Sequence, residues 1–289
     1  MSVYSKTLIT GGGGMLAHAI IRSLKSRGVE PIVFDRAALD ISDAESVMKV
    51  AQKSVPTLII NCAAYTKVDL CEQETELADK INGNGAAALA AAAKASQAKL
   101  VHFSTDFVFN GNAQTPYKTD APTNPLSAYG RSKLLGEIAV QKLLKDQGLI
   151  IRTAWLYGPG GPSFPKTMLD VARAGKPLKV VNDQRGAPTF TYDLAEATLN
   201  LLDRDAAGIF HVTNSGETTW FDFAKAIFEE FGLQPNLQPT TSAEWKKLKP
   251  MSAHRPAYSA MDLSRFEAIT GRSMRPWREA LREFRNLMP

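Results

Sequence analysis

Thr10-Gly11-Gly12-Gly13-Gly14-Met15-Leu16-Ala17 joins a short apolar segment to a segment with helical spacing. Gly11, Gly14 and Ala17 fit the G-x-x-G-x-x-[GA] pattern of a dinucleotide-binding turn. Glycine lets the chain turn tightly and approach a pyrophosphate, while free amides at the helix start favour the anion. The stretch therefore predicts a cofactor-binding turn, with contacts from Gly11, Gly13, Gly14, Met15 and Leu16.

Short apolar runs alternate with helical segments through the first half of the chain. The runs cover residues 7–10, 31–35, 57–63, 100–104 and 149–155, and apolar residues recur at helical spacing over 15–27, 44–53, 76–95 and 128–145. Parallel strands need crossover connections, and a helix in each crossover covers one face of the sheet. The alternation predicts an α/β fold, a Rossmann-type doubly wound parallel sheet.

The composition of the sequence changes after Trp155, where Gly and Pro become frequent. Gly and Pro form a loop over 158–162, and helices are predicted over 164–174, 220–231 and 277–287, with a strand over 208–214. We predict a dinucleotide-binding domain from residues 1–155 plus roughly 188–215. Residues 156–187 and 216–289 are predicted to form a smaller C-terminal α/β substrate-binding region.

Composition and charge argue against several functional classes. The Lys and Arg excess gives a net charge of +5 but forms no run, so no nucleic-acid partner is indicated. No apolar stretch reaches the ~20 residues of a membrane helix, and a signal peptide is not evident. Cys62 and Cys71 form no C-x-x-C pair, which favours free thiols in a reducing cytoplasm. The histidines lack metal-ligand spacing, and we predict no metal and no macromolecular partner.

Asp35 and Arg36 follow the second predicted strand, where dinucleotide-binding folds place the adenosine ribose. A carboxylate there accepts hydrogen bonds from the ribose of NAD, whereas a guanidinium pairs with the 2′-phosphate of NADP. We assign both residues to cofactor binding. NADPH is the preferred cofactor in this interpretation, and NADH is the alternative.

Tyr129 and Lys133 are four residues apart in a predicted helix, so their side chains share one face. A neighbouring ammonium and an oxidised nicotinamide are expected to lower the pKa of the phenol from its usual value of about 10. Tyr129 then donates a proton to a carbonyl oxygen as hydride arrives. Thr105, at a strand end, donates a hydrogen bond to the same oxygen, and Asp106 orients a substrate hydroxyl.

Seven motifs carry a family resemblance. They are Leu39-Asp40-Ile41, Asn61-Cys62-Ala63-Ala64-Tyr65-Thr66-Lys67-Val68-Asp69, Ser104-Thr105-Asp106-Phe107-Val108-Phe109, Tyr129-Gly130-Arg131-Ser132-Lys133, Arg152-Thr153-Ala154-Trp155-Leu156-Tyr157-Gly158, Asn182-Asp183-Gln184-Arg185-Gly186-Ala187-Pro188-Thr189 and Arg255-Pro256. With them the chain resembles the extended short-chain dehydrogenases/reductases, and more narrowly the dTDP-4-dehydrorhamnose reductases, over nearly its whole length. The resemblance implies NAD(P)H-dependent reduction of the C4 keto group of dTDP-4-dehydro-6-deoxy-L-mannose to dTDP-L-rhamnose.

The resemblance also implies roles for individual residues. Thr105, Tyr129 and Lys133 are implied to be catalytic, with Lys133 also holding the nicotinamide ribose. Further cofactor contacts are implied for Asp40, Ile41, Ala63, Ala64 and Tyr65. Contacts to the sugar nucleotide are implied for Val68, Thr105, Asp106, Phe107, Tyr129, Trp155, Gln184 and Arg255, and the guanidinium of Arg255 suits the diphosphate.

Two departures from the family pattern bear on the sugar and on the oligomer. Phe107 stands where the family often has a tyrosine, which implies one hydrogen bond fewer to the sugar. Members that dimerise through magnesium use a glutamate early in the first helix, and residues 15–25 contain no acid, so we expect no structural metal and leave a homodimer open.

Two alternatives to this interpretation come from different classes. One is a reductase of another nucleotide-linked 4-keto-6-deoxy sugar, such as a 6-deoxy-talose-forming enzyme. The other is a non-catalytic NADP-binding subunit, like the regulatory beta subunit of methionine adenosyltransferase, because fold alone does not fix function. The joint presence of Thr105, Tyr129 and Lys133 favours an enzyme.

Overall fold

The computed structural model describes residues 3–288, so Met1, Ser2 and Pro289 of the predicted domains lie outside the described residues. The strands are β1 (Thr7–Thr10), β2 (Ile32–Phe34), β3 (Leu58–Asn61), β4 (Lys99–Thr105), β5 (Gly148–Thr153), β6 (Leu156–Tyr157), β7 (Leu178–Val181), β8 (Arg185–Gly186), β9 (Thr189–Phe190), β10 (Gly208–His211), β11 (Thr218–Thr219) and β12 (Leu237–Thr240). The helices are α1 (Met15–Ser26), α2 (Ala44–Ser54), α3 (Val68–Cys71), α4 (Thr75–Ala78), α5 (Gly85–Ala95), α6 (Ala128–Leu144), α7 (Phe164–Arg173), α8 (Thr191–Asp203), α9 (Trp220–Phe231), α10 (Ser242–Leu248), α11 (Ser264–Thr270) and α12 (Trp277–Leu287).

Six strands form one parallel sheet in the order β10-β5-β4-β3-β1-β2. From β1 the chain adds β2 on one side, and then adds β3, β4, β5 and β10 in turn on the other side. The carboxyl ends of β1 and β3 therefore border the topological switch point, where doubly wound sheets bind their ligands. This architecture confirms the predicted Rossmann-type α/β fold.

Two hydrophobic cores cover the two faces of this sheet. Because neighbouring strand residues point to opposite faces, Leu8 packs in the core formed with α2, α5 and α6, whereas Ile9 packs in the core formed with α1 and α8. A third core, rich in aromatic side chains such as Tyr157 and Phe284, lies in the C-terminal region. Phe266 of α11 packs in the core formed with α1 and α8, although the sequence analysis assigned its segment to the smaller region.

The helix predicted over 76–95 is divided in the structure into α4, a π-helix over Asp79–Asn84, and α5. Two glycines allow this segment to pack closely on its neighbours. A Cβ atom at Gly83 would lie 3.1 Å from Leu135, and one at Gly85 would lie 2.8 Å from Ile41. These contacts join segments distant in sequence, which helical periodicity does not encode. Helix α8 is likewise absent from the predicted elements.

Candidate active site

The glycine turn lies at the switch point of the sheet and fits a cofactor phosphate. Gly11 has a φ of 71°, and a Cβ atom there would lie 2.5 Å from the backbone nitrogen of Ala63. The position that a Cβ of Gly13 would take has no atom within 4 Å, which leaves space beside the turn. Helix α1 has no acidic residue in its first turn and no side-chain cap at Gly14. Its first amides are therefore available to an anion.

The residues predicted to bind the adenosine ribose of the cofactor follow β2, the edge strand of the sheet. Asp35 and Arg36 are exposed directly after β2, and Asp35 Oδ1 accepts a hydrogen bond from the Ala38 amide at 2.9 Å. Hydrogen bonds from Ser42, and more weakly the charge of Arg36, hold the pKa of Asp40 below its usual value. The exposed guanidinium of Arg36 can thus meet a phosphate from the solvent side of this edge.

The loop after β3 is held by a buried amide that the sequence analysis did not single out. Asn82 Oδ1 accepts from the Tyr65 backbone nitrogen at 2.8 Å, and Asn82 Nδ2 donates to the Tyr65 carbonyl at 3.0 Å and to Ser132 Oγ at 2.9 Å. The phenol of Tyr65 donates to Glu74. Asn82 therefore connects the loop after β3, which carries the predicted cofactor contact Tyr65, to α6. The other predicted contacts nearby differ in exposure: Ala64 is exposed, Ala63 half-buried and Ile41 buried.

The predicted catalytic residues come from the end of β4 and the start of α6. Ser127 caps α6 by accepting from the helix backbone, and Tyr129 and Lys133 lie on its first two turns. Thr105 is the last residue of β4, and its side chain interacts with the phenol of Tyr129. The ring of Phe107 packs edge-on against Tyr129, with 5.6 Å between ring centres. The hydroxyl and the phenol therefore face one small volume.

The pKa of Tyr129 does not follow the predicted direction. Burial raises it above the usual value, Asp106 raises it further, and the interaction with Thr105 lowers it. The Lys133 amine lies 3.4 Å from His102 Nε2 and is not among the charges that act on the phenol. The expected lowering was wrong for the protein without its cofactor, because burial is the largest influence on this pKa and raises it. Tyr129 consequently keeps its proton at neutral pH.

Asp106 is a buried carboxyl group beside Thr105 and Tyr129. It is 1% exposed, and its Oδ1 accepts from Thr105 Oγ1 at 3.0 Å. Burial raises its pKa to about 6, although hydrogen bonds from Ser259 and Thr105 lower it. Buried carboxyl groups with such shifted pKa values are concentrated at functional sites.

We expect Asp106→Asn to raise the free energy of unfolding by up to about 3 kcal/mol near about pH 8. The native pKa of Asp106, about 6, lies above that of an unfolded aspartate, so the native state loses stability as the pH rises from the unfolded value to the native one, and the loss is complete above the native value. The gain should fade as the pH falls towards about 4, where both states of the wild type become protonated. Denaturation at both pH values measures it, and an equal gain at each would contradict the assignment.

A cleft of about 590 Å³ opens between the loop after β3 and the start of α7. Val68 and Arg255, two predicted substrate contacts, line it together with Phe164. The Arg255 guanidinium donates to Asp69 Oδ1 at 2.8 Å, and both side chains are partly exposed. The guanidinium therefore lies beside α3, the helix that carries Val68 and Asp69.

Trp155 and Gln184 occupy different environments, although both were predicted to contact the substrate. Trp155 has a φ of 47°, which is rare for an aromatic residue, and stacks on Trp220 with 3.7 Å between ring centres. A Cβ atom at Gly186 would lie 3.0 Å from its indole, so the ring is held by packing. Gln184 is buried, donates to Ser242 Oγ at 2.9 Å and does not line the cleft.

The chain combines a glycine turn at the switch point with the hydroxyl of Thr105 at the end of β4 and with the phenol of Tyr129 and the amine of Lys133 on α6. This combination defines the class of Rossmann-type nicotinamide oxidoreductases. The particular family follows from comparison of the whole chain. The RmlD substrate binding domain matches residues 5–288, and the chain belongs to this family.

Similar proteins agree with this assignment. The chain is 42% identical to a dTDP-4-dehydrorhamnose reductase of Streptomyces griseus, over 98% of this chain and 94% of the relative. It is 42% identical to a dTDP-4-keto-6-deoxy-D-glucose reductase of Streptomyces niveus, over 79% of each chain. A solved structure of dTDP-4-dehydrorhamnose reductase from Bacillus anthracis, in complex with NADP, is 36% identical, covers 100% of both chains and superposes with a TM-score of 0.94. The predicted family resemblance is confirmed.

Other features of the described chain concern membranes and metals. Within residues 3–288, no helix has the length and apolar character needed to cross a bilayer. The same residues contain no group of three or more His, Cys, Asp or Glu side chains suited to hold a metal ion. Cys62 and Cys71 are free thiols.

Proposed function

We propose that this chain is an NADPH-dependent reductase that converts the C4 keto group of dTDP-4-dehydro-6-deoxy-L-mannose to a hydroxyl, forming dTDP-L-rhamnose. The observation that carries the proposal is the position of Thr105 at the end of β4 and of Tyr129 beside it at the start of α6, next to a sheet whose switch point holds the glycine turn. The reductase relative and the NADP-bound structure support the substrate and the cofactor. The joint presence of Thr105, Tyr129 and Lys133 argues against a binding subunit without activity.

Proton delivery is assigned to Tyr129. The bound cofactor supplies the hydride. The Tyr129 hydroxyl donates its proton to the carbonyl oxygen as negative charge develops there, and burial holds that proton in place until then. Thr105 donates to Asp106 in this structure, and turning its O–H towards the carbonyl oxygen leaves Asp106 to accept a hydroxyl of the sugar.

The remaining predicted contacts are proposed to hold the two ligands. Arg255 and Val68 line the cleft and are proposed to bind the sugar nucleotide, and the stacked indole of Trp155 offers an apolar face. Lys133 is proposed to hold the nicotinamide ribose. Gln184 is proposed to exchange its hydrogen bond to Ser242 for one to the substrate.

The direct test of the proposed reaction is the loss of reduced-nicotinamide absorbance when the purified protein meets dTDP-4-dehydro-6-deoxy-L-mannose. NADPH and NADH are compared in parallel, and the product is identified by NMR. Oxidation with formation of dTDP-L-rhamnose supports the proposal. Cofactor binding without oxidation of any nucleotide-linked keto sugar would favour the non-catalytic class.

Reduction of a different 4-keto-6-deoxy sugar is the second candidate function. Phe107 favours it, because its ring packs against Tyr129 and brings no hydroxyl to the sugar. The Streptomyces niveus relative, a dTDP-4-keto-6-deoxy-D-glucose reductase, is as similar over the part it covers. The two candidates are distinguished by comparing kcat/KM for the two dTDP-linked keto sugars, with a Phe107→Tyr variant measured beside the wild type.

The charge of Arg36 is expected to set the preference for NADPH. We expect Arg36→Ala to raise the KM for NADPH roughly tenfold or more, because a charge-assisted contact to the 2′-phosphate is lost, and to leave the KM for NADH unchanged. Arg173→Ala removes another exposed arginine, at the end of α7, and serves as the control. Equal changes for both cofactors would contradict the role.

The cytoplasm is the proposed location. Both cysteines are free thiols in the described chain, which suits a reducing compartment. The nucleotide-sugar substrate and NADPH are cytoplasmic metabolites in this proposal. Cell fractionation followed by immunoblotting tests it, and recovery with the membrane fraction would contradict it.

A further inference from the structure

The segment over residues 253–258, which carries Arg255, is attached to the rest of the chain on both sides of this arginine. After Arg255, the backbone nitrogen of Tyr258 donates to the Gly111 carbonyl at 3.2 Å, in the loop after β4. The Ala257 carbonyl accepts from the backbone nitrogen of Arg185, in β8, at 2.8 Å. These backbone contacts fix the part of the segment that follows Arg255.

The part before Arg255 is held by the carboxylate of Asp69. This residue lies in α3, 184 residues before Ala253, and its Oδ1 accepts from the Ala253 backbone nitrogen at 3.0 Å. The same oxygen accepts from Arg255 Nη2 at 2.8 Å, and Arg255 Nη1 donates to the Ala253 carbonyl at 3.2 Å. The three residues form a closed set of hydrogen bonds. This set fixes the direction of the guanidinium as well as the backbone at Ala253.

The guanidinium fixed in this way lines the cleft of about 590 Å³. Lys67 and Arg255 bring two positive charges to the lining, and Asp69 brings one negative charge. Two N–H groups of Arg255 are engaged by Asp69 and Ala253, and a guanidinium has five, so N–H groups remain for the oxygens of a phosphate. The cleft therefore suits an anionic ligand.

The carboxylate of Asp69 has two opposing effects on such a ligand. A long side chain that is ordered only by its ligand loses rotamer freedom on binding, which weakens the complex, and Asp69 has already ordered Arg255. Its negative charge acts in the other direction and repels the anion. The two side chains are 27% and 51% exposed, so solvent screens the repulsion, and the ordering of Arg255 is the larger effect.

We propose that Asp69 is a positioning residue, which holds Arg255 in the orientation that binds the diphosphate of the nucleotide sugar. The inference rests on the proposed function, which assigns the nucleotide sugar to this cleft. Asp69 acts through its hydrogen bonds to Arg255 and Ala253. Its contribution is to ligand binding, and the proton transfer from Tyr129 does not depend on it.

The affinity for dTDP, measured by isothermal titration calorimetry, tests this role without turnover. We expect Asp69→Ala to weaken dTDP binding about fivefold, because the guanidinium is then ordered only by the ligand. Asp69→Asn retains an oxygen that accepts from both donors, so its affinity should stay within about twofold of the wild type. Unchanged or tighter binding in folded Asp69→Ala would overturn the inference, and so would equal losses in the two variants.

A double-mutant cycle shows whether Asp69 acts through Arg255. Arg255→Ala should weaken dTDP binding roughly tenfold or more, because a charge-assisted contact to phosphate is lost. Adding Asp69→Ala to this variant should change the affinity by no more than about twofold, since the guanidinium is already absent. An equal loss from Asp69→Ala in both backgrounds would mean that Asp69 only stabilises the segment, and would refute the positioning role.

Asp203→Ala is the matched control for Asp69→Ala. Asp203, the last residue of α8, pairs with Arg27 at the same distance of 2.8 Å and with similar exposure, 44% and 28%. Its loss removes an equivalent Asp–Arg ion pair away from the cleft. The affinity of Asp203→Ala for dTDP should equal that of the wild type.

Steady-state kinetics separate this inference from the proposed reaction. Asp69→Ala should raise the KM for the keto sugar nucleotide about fivefold and leave kcat and the KM for NADPH unchanged, because the lost interaction is made equally in the ground state and the transition state. A wild-type protein that binds dTDP but reduces no keto sugar would contradict the proposed reaction alone. Reduction with an unchanged KM in Asp69→Ala would contradict the role of Asp69 alone.

Discussion

Tyr129→Phe is expected to lower kcat by roughly 10³-fold, because the substitution removes the proton donor and leaves the hydride donor in place. The phenylalanine ring retains the edge-on contact with Phe107, so the fold of the helix start is preserved. Binding of NADPH, measured by fluorescence titration, should change by no more than about twofold. Steady-state kinetics with a dTDP-linked keto sugar give the comparison.

Tyr117→Phe is the matched control for this loss. Tyr117 is buried and carries a hydrogen-bonded phenol, since its OH donates to Asn110, but it stacks on Phe109 in a different hydrophobic cluster from Tyr129. The control should retain turnover close to that of the wild type. Comparable turnover in Tyr129→Phe and Tyr117→Phe would show that the proton comes from another group.

Arg152→Leu is expected to destabilise the protein by about 3–5 kcal/mol, because it leaves the carboxylate of Glu137 buried without its partner. The two side chains are 3% and 1% exposed, and the guanidinium binds both carboxylate oxygens, at 2.9 and 2.7 Å. Glu137 belongs to α6, the helix that carries Tyr129 and Lys133, and Arg152 belongs to β5. Chemical denaturation measures the loss.

An exposed ion pair supplies the contrast for this prediction. Lys166 and Asp170 are four residues apart on α7, lie 3.0 Å apart and are each at least half exposed. Lys166→Ala should change the free energy of unfolding by no more than about 0.5 kcal/mol. The double variant Arg152→Leu with Glu137→Leu should recover part of the loss, since no buried charge is left unpaired. A similar small effect for both ion pairs would contradict the energetic role of burial.

The predicted catalytic positions and their partners were accessible to sequence reasoning to different extents. Tyr129 and Lys133 were predictable because a spacing of four places two side chains on one face of a helix. Thr105 was predictable because a buried apolar run ends there, and the ends of parallel strands border the ligand crevice. Asn82 was not predictable, because its partners Tyr65 and Ser132 are 17 and 50 residues away.

Several site properties likewise depend on groups that the chain brings together only on folding. The predicted direction of the pKa shift of Tyr129 was wrong, because the degree of burial at the start of α6 is a property of the packed protein. The backbone of Trp155 is held in its rare conformation by Trp220 and Gly186. The side chain of Gln184 donates a hydrogen bond to Ser242, which is 58 residues away in the sequence.

Residue type and spacing within single elements were enough to predict the alternation of strands and helices, the glycine turn, and the shared helix face of Tyr129 and Lys133. Packing between distant segments sets the π-helix, the arrangement of Thr10, Asn61 and His102 behind Lys133, and the pKa shifts that burial causes in the site. Hydrogen-bond direction and desolvation depend on which groups of distant segments meet, and those meetings exist only once the sheet and its helices have packed.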